Sequence, residues 1–168
     1  VTSSTTSSAK IFKEQKFKKK IHKFFPLDTN YLTKKFIKIW KPEVAIFVDS
    51  EVWPNMIKNL KKNQIPIILL NARFTKSSFK KWMIFKNFAS EIFNKITLAL
   101  PQNSETKKYL KILGTKKINY IGNIKYYGHR TYLGQKNRKL FNRLKKFKVW
   151  CAGSTHNTEE IIISKLHK

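Results

Sequence analysis

The sequence predicts an α/β fold built on a doubly wound parallel sheet. Short β-branched apolar runs, which suit buried strands, alternate along the chain with longer stretches of helical apolar spacing. Repeated strand–helix units imply parallel strands with helices on both faces of the sheet. A length of 168 residues with 41% hydrophobic residues is enough to build a packed core.

The predicted elements follow in chain order. Strands are predicted at residues 20–24 (the weakest pattern), 44–48, 66–70, 96–100 and 118–121. Helices are predicted at residues 31–40, 53–63, 79–93 and 104–113. Gly114 is expected to end the last of these helices, since glycine tolerates the left-handed conformation that commonly follows a helix.

The periodic pattern breaks after residue 122. Residues 122–134 are rich in Gly, Tyr, His and Arg without periodicity, and a basic helix is predicted at 136–146, followed by a strand at 148–152 and another helix. We therefore predict a first α/β domain over residues 1–122, a linker over 123–135 and the beginning of a second α/β domain over 136–168. The start at Val1 and an amphipathic helix without a terminator at 159–168 suggest an internal fragment of a longer protein.

The chain is strongly basic, with a net charge of +27. Such a surface attracts phosphates of nucleic acid, anionic lipid or a phosphorylated substrate, although the Lys-rich composition also fits an AT-rich coding bias. Only four of the 36 basic residues are Arg, which argues against a dedicated nucleic-acid reader. The single cysteine, Cys151, permits no disulfide within the chain and suits a reducing compartment. No apolar run approaches the ~20 residues that span a bilayer.

Polar residues follow the predicted strands, where ligands bind in open parallel sheets. Asp49 and Glu51 are two of only nine acidic residues, and they could orient sugar hydroxyls or accept a proton. The alternative is that one of them caps the next helix, which has Pro54 in its first turn. Arg73 could hold a phosphate or carboxylate bidentately, or else form an ion pair with one of these carboxylates.

A second candidate site lies at residues 153–160. Gly153 permits close backbone approach, Ser154 and Thr155 offer hydroxyls, and the following helix would direct its amides at an anion such as a nucleotide phosphate. The alternative is that Asn157 and Glu160 only form a capping box.

Other motifs are absent or open to two interpretations. The four histidines have no metal-ligand spacing, so we predict no metal, and no P-loop, nucleophile elbow or GxGxxG motif occurs. Trp82, Phe85 and Phe88 lie on a Lys-rich helix and belong either to the core or to a membrane-facing surface.

Several of these segments together resemble the Kdo transferase family, which transfers 3-deoxy-D-manno-oct-2-ulosonic acid (Kdo). The run Phe47-Val48-Asp49-Ser50-Glu51-Val52-Trp53-Pro54-Asn55 resembles a family motif in which an acidic-Thr-Glu-Leu-Trp-Pro-Asn segment follows a strand. Further similar segments follow in the family's order: Asn71-Ala72-Arg73, Gln102-Asn103, Gly122-Asn123-Ile124-Lys125 and residues 153–160. Pro26-Leu27-Asp28 and the Thr-rich residues 1–8 fit as well.

The resemblance implies a GT-B glycosyltransferase with two Rossmann-like domains, an acceptor-side domain followed by a nucleotide-sugar domain. It implies metal-independent, inverting transfer of Kdo from CMP-Kdo to lipid IVA in lipopolysaccharide synthesis, with no further cofactor. It also implies a monomer that acts at an anionic membrane surface, the cytoplasmic face of the bacterial inner membrane, held peripherally or by an N-terminal anchor. No specific nucleic-acid partner is expected.

The resemblance also assigns residues to the two substrates. The acceptor-side residues would be Asp49, Glu51, Asn71 and Arg73. The donor-side residues would be Asn123, Lys125, Gly153, Ser154, Thr155, His156 and Glu160.

The sequence departs from the family pattern in four places. Asp49 replaces the usual Glu, and Thr75 replaces a common Ser. The segment with the presumed catalytic base would lie before Val1, and an Arg-His-Pro-Glu-Arg segment would lie after Lys168, so we expect the fragment alone to be inactive. The alternatives are another GT-B glycosyltransferase or a basic nucleic-acid-binding module.

Overall fold

The structure is a computed structural model that describes residues 1–14, 19–126, 142–148, 152–156 and 158–166. The chain forms two compact units, Val1–Gly128 and His129–Lys168. The predicted domain and linker boundaries, at residues 122 and 135, stay predictions.

The first unit contains two small parallel sheets. In one sheet, β1 (Thr2–Ser3) pairs with β2 (Lys23–Phe24). In the other, β3 (Ala45–Val48), β4 (Ile67–Ala72) and β5 (Leu98–Pro101) stand in the order β3-β4-β5. All pairings are parallel, with Ala45 opposite Ile67 and Ile68 opposite Leu98, which confirms the predicted α/β class with parallel strands.

Helices connect the strands of the first unit. They are α1 (Thr6–Glu14), α2 (Asn30–Trp40), α3 (Pro54–Lys62), α4 (Lys76–Ile84), α5 (Lys86–Phe93) and α6 (Ser104–Ile112). Side chains of Thr29, Thr75 and Asn103 accept hydrogen bonds from the first turns of α2, α4 and α6, as N-cap residues do. Gly114 adopts φ 103° just after α6, as expected for a residue that ends a helix.

The core of the first unit lies between the three-stranded sheet and its helices. Its largest fully buried apolar side chains are Phe93, Ile57, Leu60, Ile67, Leu69, Ile92, Leu110 and Leu113. A polar contact joins α2 to α3: the buried Asn59 amide donates to Thr33 Oγ1 (2.7 Å) and Asn30 Oδ1 (3.1 Å). Because these polar groups hydrogen-bond to each other, their burial does not incur the free-energy penalty of a buried donor without an acceptor.

Three predictions of secondary structure are corrected, and two elements were not predicted. The helix predicted at 79–93 is two helices, because Phe85 leaves helical geometry with ψ 59°. The strand predicted at 66–70 extends to Ala72, so Asn71 lies inside β4 and not after it. Residues 118–121 form only an isolated bridge between Ile118 and Ala99. Helix α1 and strand β1 were not predicted, since their Ser/Thr-rich sequence has no clear period.

The second unit contains α7 (Glu159–Leu166), which confirms the predicted helix after residues 153–156. The helix predicted at 136–146 and the strand predicted at 148–152 lie largely outside the described residues. None of the helices that the structure describes is long and apolar enough to cross a membrane.

Candidate functional site

The carboxyl ends of β3 and β4 lie side by side and bring Asp49 next to Arg73. The Asp49 N–H donates to the Leu70 carbonyl (3.0 Å), and the Arg73 N–H donates to the Asp49 carbonyl (3.3 Å). The Ser50 hydroxyl donates to the Arg73 carbonyl. These backbone contacts extend the strand pairing by one residue, so Asp49 and Arg73, both predicted on the acceptor side, emerge from one edge of the sheet, where open parallel sheets bind ligands.

Asp49, Asn71 and Lys125 form a hydrogen-bonded cluster at this edge. The Asn71 amide donates to Asp49 Oδ1 (2.7 Å), and Lys125 Nζ donates to Asp49 Oδ2 (3.0 Å). The Ile124 N–H donates to Asn71 Oδ1 (3.2 Å), so both polar atoms of the buried Asn71 side chain are used. Asn71 adopts φ 52°, a left-handed conformation that Asn tolerates better than most residues. The cluster therefore ties the turn at 124–126 to the ends of β3 and β4.

Asn123 shapes that turn. Its side-chain Oδ1 accepts from the Lys125 N–H (3.1 Å), and its carbonyl accepts from the Tyr126 N–H (3.1 Å), which closes the short 3₁₀ helix Ile124–Tyr126. Lys125 was predicted on the donor side, yet its ammonium lies on Asp49, which was predicted on the acceptor side. The structure thus brings three predicted residues, Asp49, Asn71 and Lys125, into one place.

The environment of Asp49 favours its ionised form. Burial raises the pKa of the Asp49 carboxyl, but hydrogen bonds from Asn71 and Lys125 and the charges of Lys125 and Arg73 outweigh it, so the pKa lies below its ordinary value. A carboxylate with a lowered pKa is a poor proton acceptor near neutral pH. Asp49 is therefore suited to holding Lys125 and Asn71 in place.

Arg73 presents its guanidinium at the surface of this edge. Its backbone is bound, but within the described part of the chain its side chain makes no hydrogen bond or ion pair. Among the described residues no close ion pair joins Arg73 to Asp49 or Glu51: Lys125 pairs with Asp49, Trp53 binds Glu51, and the Arg73 charge acts on Asp49 only from a longer distance. The guanidinium is free to form the bidentate contact that carboxylates and phosphates favour.

Glu51 lies at the same edge of the sheet but makes no contact with the Asp49–Asn71–Lys125 cluster in the described contacts. Its carboxylate accepts from Trp53 Nε1 (2.7 Å), and the Trp53 ring packs on Phe25 at 5.1 Å between centroids. Glu51 also lines a cavity of about 790 Å³ bounded by β1 and β3. The exposed carboxylate of Glu51 thus lines the cavity, whereas the carboxylate of Asp49 binds Lys125.

Asp28 has a structural role that the sequence analysis did not assign. Its carboxylate accepts from the backbone N–H groups of Asn55 (3.0 Å) and Met56 (2.8 Å), the first turn of α3, and its carbonyl accepts from the Asn55 amide. Asp28 therefore caps α3, and the alternative that Asp49 or Glu51 does so is wrong. The available signals were its place just after the predicted strand at 20–24 and the segment Pro26-Leu27-Asp28 that fits the family.

The second unit contains the other predicted site residues. Thr155 Oγ1 donates to Glu160 Oε1 (3.0 Å), and the His156 N–H donates to Glu159 Oε2 (3.0 Å). An anion that binds these donors must displace two carboxylates of the first turn of α7. Ser154 adopts φ 58°, and a Cβ at Gly153 would meet nothing within 4 Å, so no described neighbour requires glycine there. Asn157, the alternative cap partner of Glu160, lies outside the described residues.

An exposed apolar pair marks the break between α4 and α5. Ile84 is 72% exposed and Phe85 is 69% exposed. Of the other aromatic residues predicted on this face, Trp82 packs edge-on against the buried Phe93 at 5.1 Å, and Phe88 lies under the Lys58 ammonium at 5.0 Å. Of the two predicted alternatives, Trp82 therefore belongs to the core, whereas Phe85 and Phe88 lie at the surface.

Metal ligands do not cluster in the described ranges: nowhere in them do three His, Cys, Asp or Glu side chains come together as a metal site would require.

Comparisons with known proteins were made for the whole chain. Residues 1–127 match the family model of the 3-deoxy-D-manno-octulosonic-acid transferase (kdotransferase) N-terminal domain. The 3-deoxy-D-manno-octulosonic acid transferase of Rickettsia felis is 34% identical over 169 aligned residues, which cover 100% of this chain and 36% of the relative. The Haemophilus influenzae transferase of the same name is 32% identical over 88% of this chain and 35% of its own length. A probable mitochondrial 3-deoxy-D-manno-octulosonic acid transferase of Arabidopsis thaliana is 32% identical over 99% of this chain and 39% of its own length. The chain thus spans little more than a third of the length of these relatives.

Proposed function

We propose that this chain, which belongs to the 3-deoxy-D-manno-octulosonic-acid transferase family, is part of a glycosyltransferase that moves Kdo from CMP-Kdo to lipid IVA. The observation that carries the proposal is the family match over residues 1–127, which contains the whole Asp49–Asn71–Lys125 cluster and Arg73. In the proposed GT-B arrangement, residues 1–122 contribute the acceptor-side domain, and the chain from 136 onward begins the donor-side domain.

Arg73 is the proposed anion-binding residue of the acceptor side. A bidentate guanidinium suits either the carboxylate of Kdo or a phosphate of the lipid acceptor. Backbone hydrogen bonds fix the main chain of Arg73 beside Asp49, so binding of an anion requires ordering of the Arg73 side chain but no rearrangement of the backbone. The Asp49 carboxylate, neutralised by Lys125, does not repel such an anion as strongly as an unpaired carboxylate would.

Glu51 is the proposed contact to acceptor hydroxyls, because its carboxylate is exposed and oriented by Trp53. We propose metal-independent, inverting transfer, in which a base outside residues 1–168 takes the proton of the acceptor hydroxyl. The leaving phosphate would be stabilised by Ser154, Thr155 and the amides at the start of α7.

Ile84 and Phe85 are the proposed points of membrane contact. Both are exposed apolar side chains, and Lys80, Lys81 and Lys86 adjoin them in the sequence. Apolar side chains flanked by cations bind anionic bilayers peripherally. These residues support the proposed location at the cytoplasmic face of the inner membrane, where a phosphorylated lipid acceptor would be available.

The test uses the full-length protein with radiolabelled CMP-Kdo and lipid IVA, with Arg73→Ala, Arg73→Lys and, as a charge-matched control, Lys107→Ala, an exposed lysine of α6. Loss of a charge-assisted bidentate contact, worth about 1.5–3 kcal/mol, predicts a kcat/KM lowered about 10- to 100-fold in Arg73→Ala. Arg73→Lys should recover only part of the rate, and Lys107→Ala should stay within about twofold of the unaltered protein. Absence of Kdo transfer by the unaltered protein would refute the function, whereas a full rate in Arg73→Ala would refute only the role of Arg73.

A further inference from the structure

Strand β4 has one extra residue near its carboxyl end. In a regular parallel ladder, one residue bonds to two residues of the next strand that lie two positions apart. The Asp49 N–H donates to the Leu70 carbonyl, whereas the Asp49 carbonyl accepts from the Arg73 N–H, three positions further on. The pairing of β4 with β5 shifts between Leu70 and Ala72 as well. Asn71 is therefore the extra residue of a β-bulge.

The bulge changes the face on which the later side chains lie. Side chains alternate between the two faces of a strand, and an extra residue exchanges the faces of all that follow. Before the bulge, the buried side chains are odd-numbered, as at Ile67 and Leu69. After it, Phe74 is buried and Arg73 is exposed. In a regular strand of the same sequence, Arg73 would share the buried face, so its exposure depends on the bulge at Asn71.

The backbone of the bulge is held by the Asn71 side chain. Asn71 has φ 52°, and Asp49 on the neighbouring strand has φ 59°. Left-handed residues other than glycine cost free energy and persist only where surrounding contacts hold them. The Asn71 amide supplies such contacts, since it donates to Asp49 Oδ1 and accepts from the Ile124 N–H. Bulges and strained residues of this kind are common beside functional sites, where they aim a side chain.

The same side chain holds Lys125 in place. Asn71 binds the Asp49 carboxylate on one side and the turn that contains Lys125 on the other, and Asp49 Oδ2 accepts from Lys125 Nζ. Asn71 is fully buried, so it has no surface that a bound substrate could touch. The Lys125 side chain is 63% exposed, and its contact with Asp49 uses one of three ammonium N–H groups. Lys125 can therefore bind an anion while Asp49 holds it.

We propose that Asn71 is a positioning residue, which holds the Lys125 ammonium at the edge of the sheet from which Arg73 emerges. The proposal rests on the proposed function, in which Arg73 binds a carboxylate or phosphate of a substrate. Both cations act on the Asp49 carboxylate, Lys125 by contact and Arg73 by its charge, so both lie around one group. A substrate anion at this edge would meet Lys125 as well as Arg73. Asn71 acts on the reaction through Lys125 and not by contact with the substrate.

Kinetics of the full-length protein with CMP-Kdo and lipid IVA test the proposal. Asn71→Gly removes the side chain but keeps a residue that tolerates positive φ, so the bulge stays and the tie to Lys125 is lost. We expect kcat/KM for CMP-Kdo to fall about tenfold in Asn71→Gly and about 10- to 100-fold in Lys125→Met. The double variant should stay within about twofold of Lys125→Met. A further tenfold loss in the double variant, or an unchanged kcat/KM in Asn71→Gly, would overturn the proposal.

Asn59→Ala is the control for lost stability. Asn59 is another buried Asn, and its amide donates to Thr33 and Asn30 in the contact between α2 and α3. This variant should lower the urea midpoint, yet the folded protein should keep its kcat/KM within about twofold. An equal fall of kcat/KM in Asn59→Ala and Asn71→Gly would contradict a positioning role, because lost stability alone would then explain both.

Exchange of the Ile124 amide, measured by NMR, separates this proposal from the proposed function. If the unaltered protein transfers no Kdo, the proposed function fails, and amide exchange alone decides whether Asn71 holds the turn. The Ile124 N–H should exchange about tenfold faster or more in Asn71→Gly, because its acceptor is removed. The Asp49 amide, which bonds to the Leu70 carbonyl, is the reference and should exchange equally slowly in both proteins. Equal exchange of Ile124 in the two proteins would overturn the positioning role, whether or not Kdo is transferred.

Discussion

Replacement of Asn71 by Ala should destabilise the first unit through three local effects. The side chain is fully buried, it donates to Asp49 Oδ1 at 2.7 Å, and it accepts from the Ile124 N–H at 3.2 Å. Its φ of 52° lies in the left-handed region, where Ala is less favourable than Asn. Together with Asp49, Asn71 links β3, β4 and the turn at 124–126.

The magnitude follows from these contacts. Losing the hydrogen bond to the Asp49 carboxylate costs about 1.5–3 kcal/mol at most, and Asp49 is exposed enough for water to recover part of it. Leaving the Ile124 N–H without its partner costs about 1–3 kcal/mol where water is excluded. Holding Ala at position 71 in the left-handed conformation costs about 1 kcal/mol more. Because the terms overlap, we expect a total loss of about 3 kcal/mol.

Urea unfolding at pH 7, followed by tryptophan fluorescence, measures this loss. Asn71→Ala should lower the midpoint without changing the m-value. In a double-mutant cycle with Asp49→Ala, which removes the acceptor oxygen, the coupling energy should exceed about 1 kcal/mol, since the two side chains touch. A loss below about 1 kcal/mol for Asn71→Ala, or a coupling energy of zero, would refute the argument that this cluster stabilises the sheet edge.

Three further predictions follow from other contacts. Removing the α3 cap by Asp28→Ala should cost about 1–2 kcal/mol in urea unfolding, with a smaller loss for Asp28→Asn, which keeps one acceptor oxygen. Because the folded-state pKa of Asp49 is lowered, its contribution is present above the ordinary Asp pKa of about 3.9 and is lost as pH falls through the folded pKa. The stability difference between the unaltered protein and Lys125→Met should therefore be largest at neutral pH and shrink at pH 3. Ile84→Glu/Phe85→Glu should weaken sedimentation of the full-length protein with anionic phosphatidylglycerol vesicles about tenfold or more.

Each of these predictions has its own control. Equal losses below about 0.5 kcal/mol for both Asp28 variants would show that another group caps α3. A stability difference for Lys125→Met that is the same at pH 7 and pH 3 would show that the contact with Asp49 contributes nothing. Ile112, an exposed apolar residue of α6, is the matched control for vesicle binding. If Ile112→Glu weakens sedimentation as much as the paired variant, then added negative charge alone explains the effect.

Local chemistry allowed much of the fold to be predicted from the sequence. The strand predicted at 44–48 and the helices predicted at 31–40, 53–63 and 104–113 agree with β3, α2, α3 and α6 to within one or two residues. The spacing of apolar residues and the turn residues at each end define such elements locally. Their prediction therefore needs no knowledge of distant contacts. The family, too, was predicted from ordered motifs and is confirmed by the family model over residues 1–127.

What the sequence alone determined is therefore the set of local elements, the parallel α/β class and the family. Only the tertiary structure decided which residues meet: Asp28 reaches the start of α3 across 27 positions, and Lys125 reaches Asp49 across 76. It also decided that residues 118–121 make one bridge and no full strand, and that Lys125 and not Arg73 pairs with Asp49. These outcomes depend on strand order and register, which bring distant residues to one edge of the sheet, and local periodicity does not encode that placement.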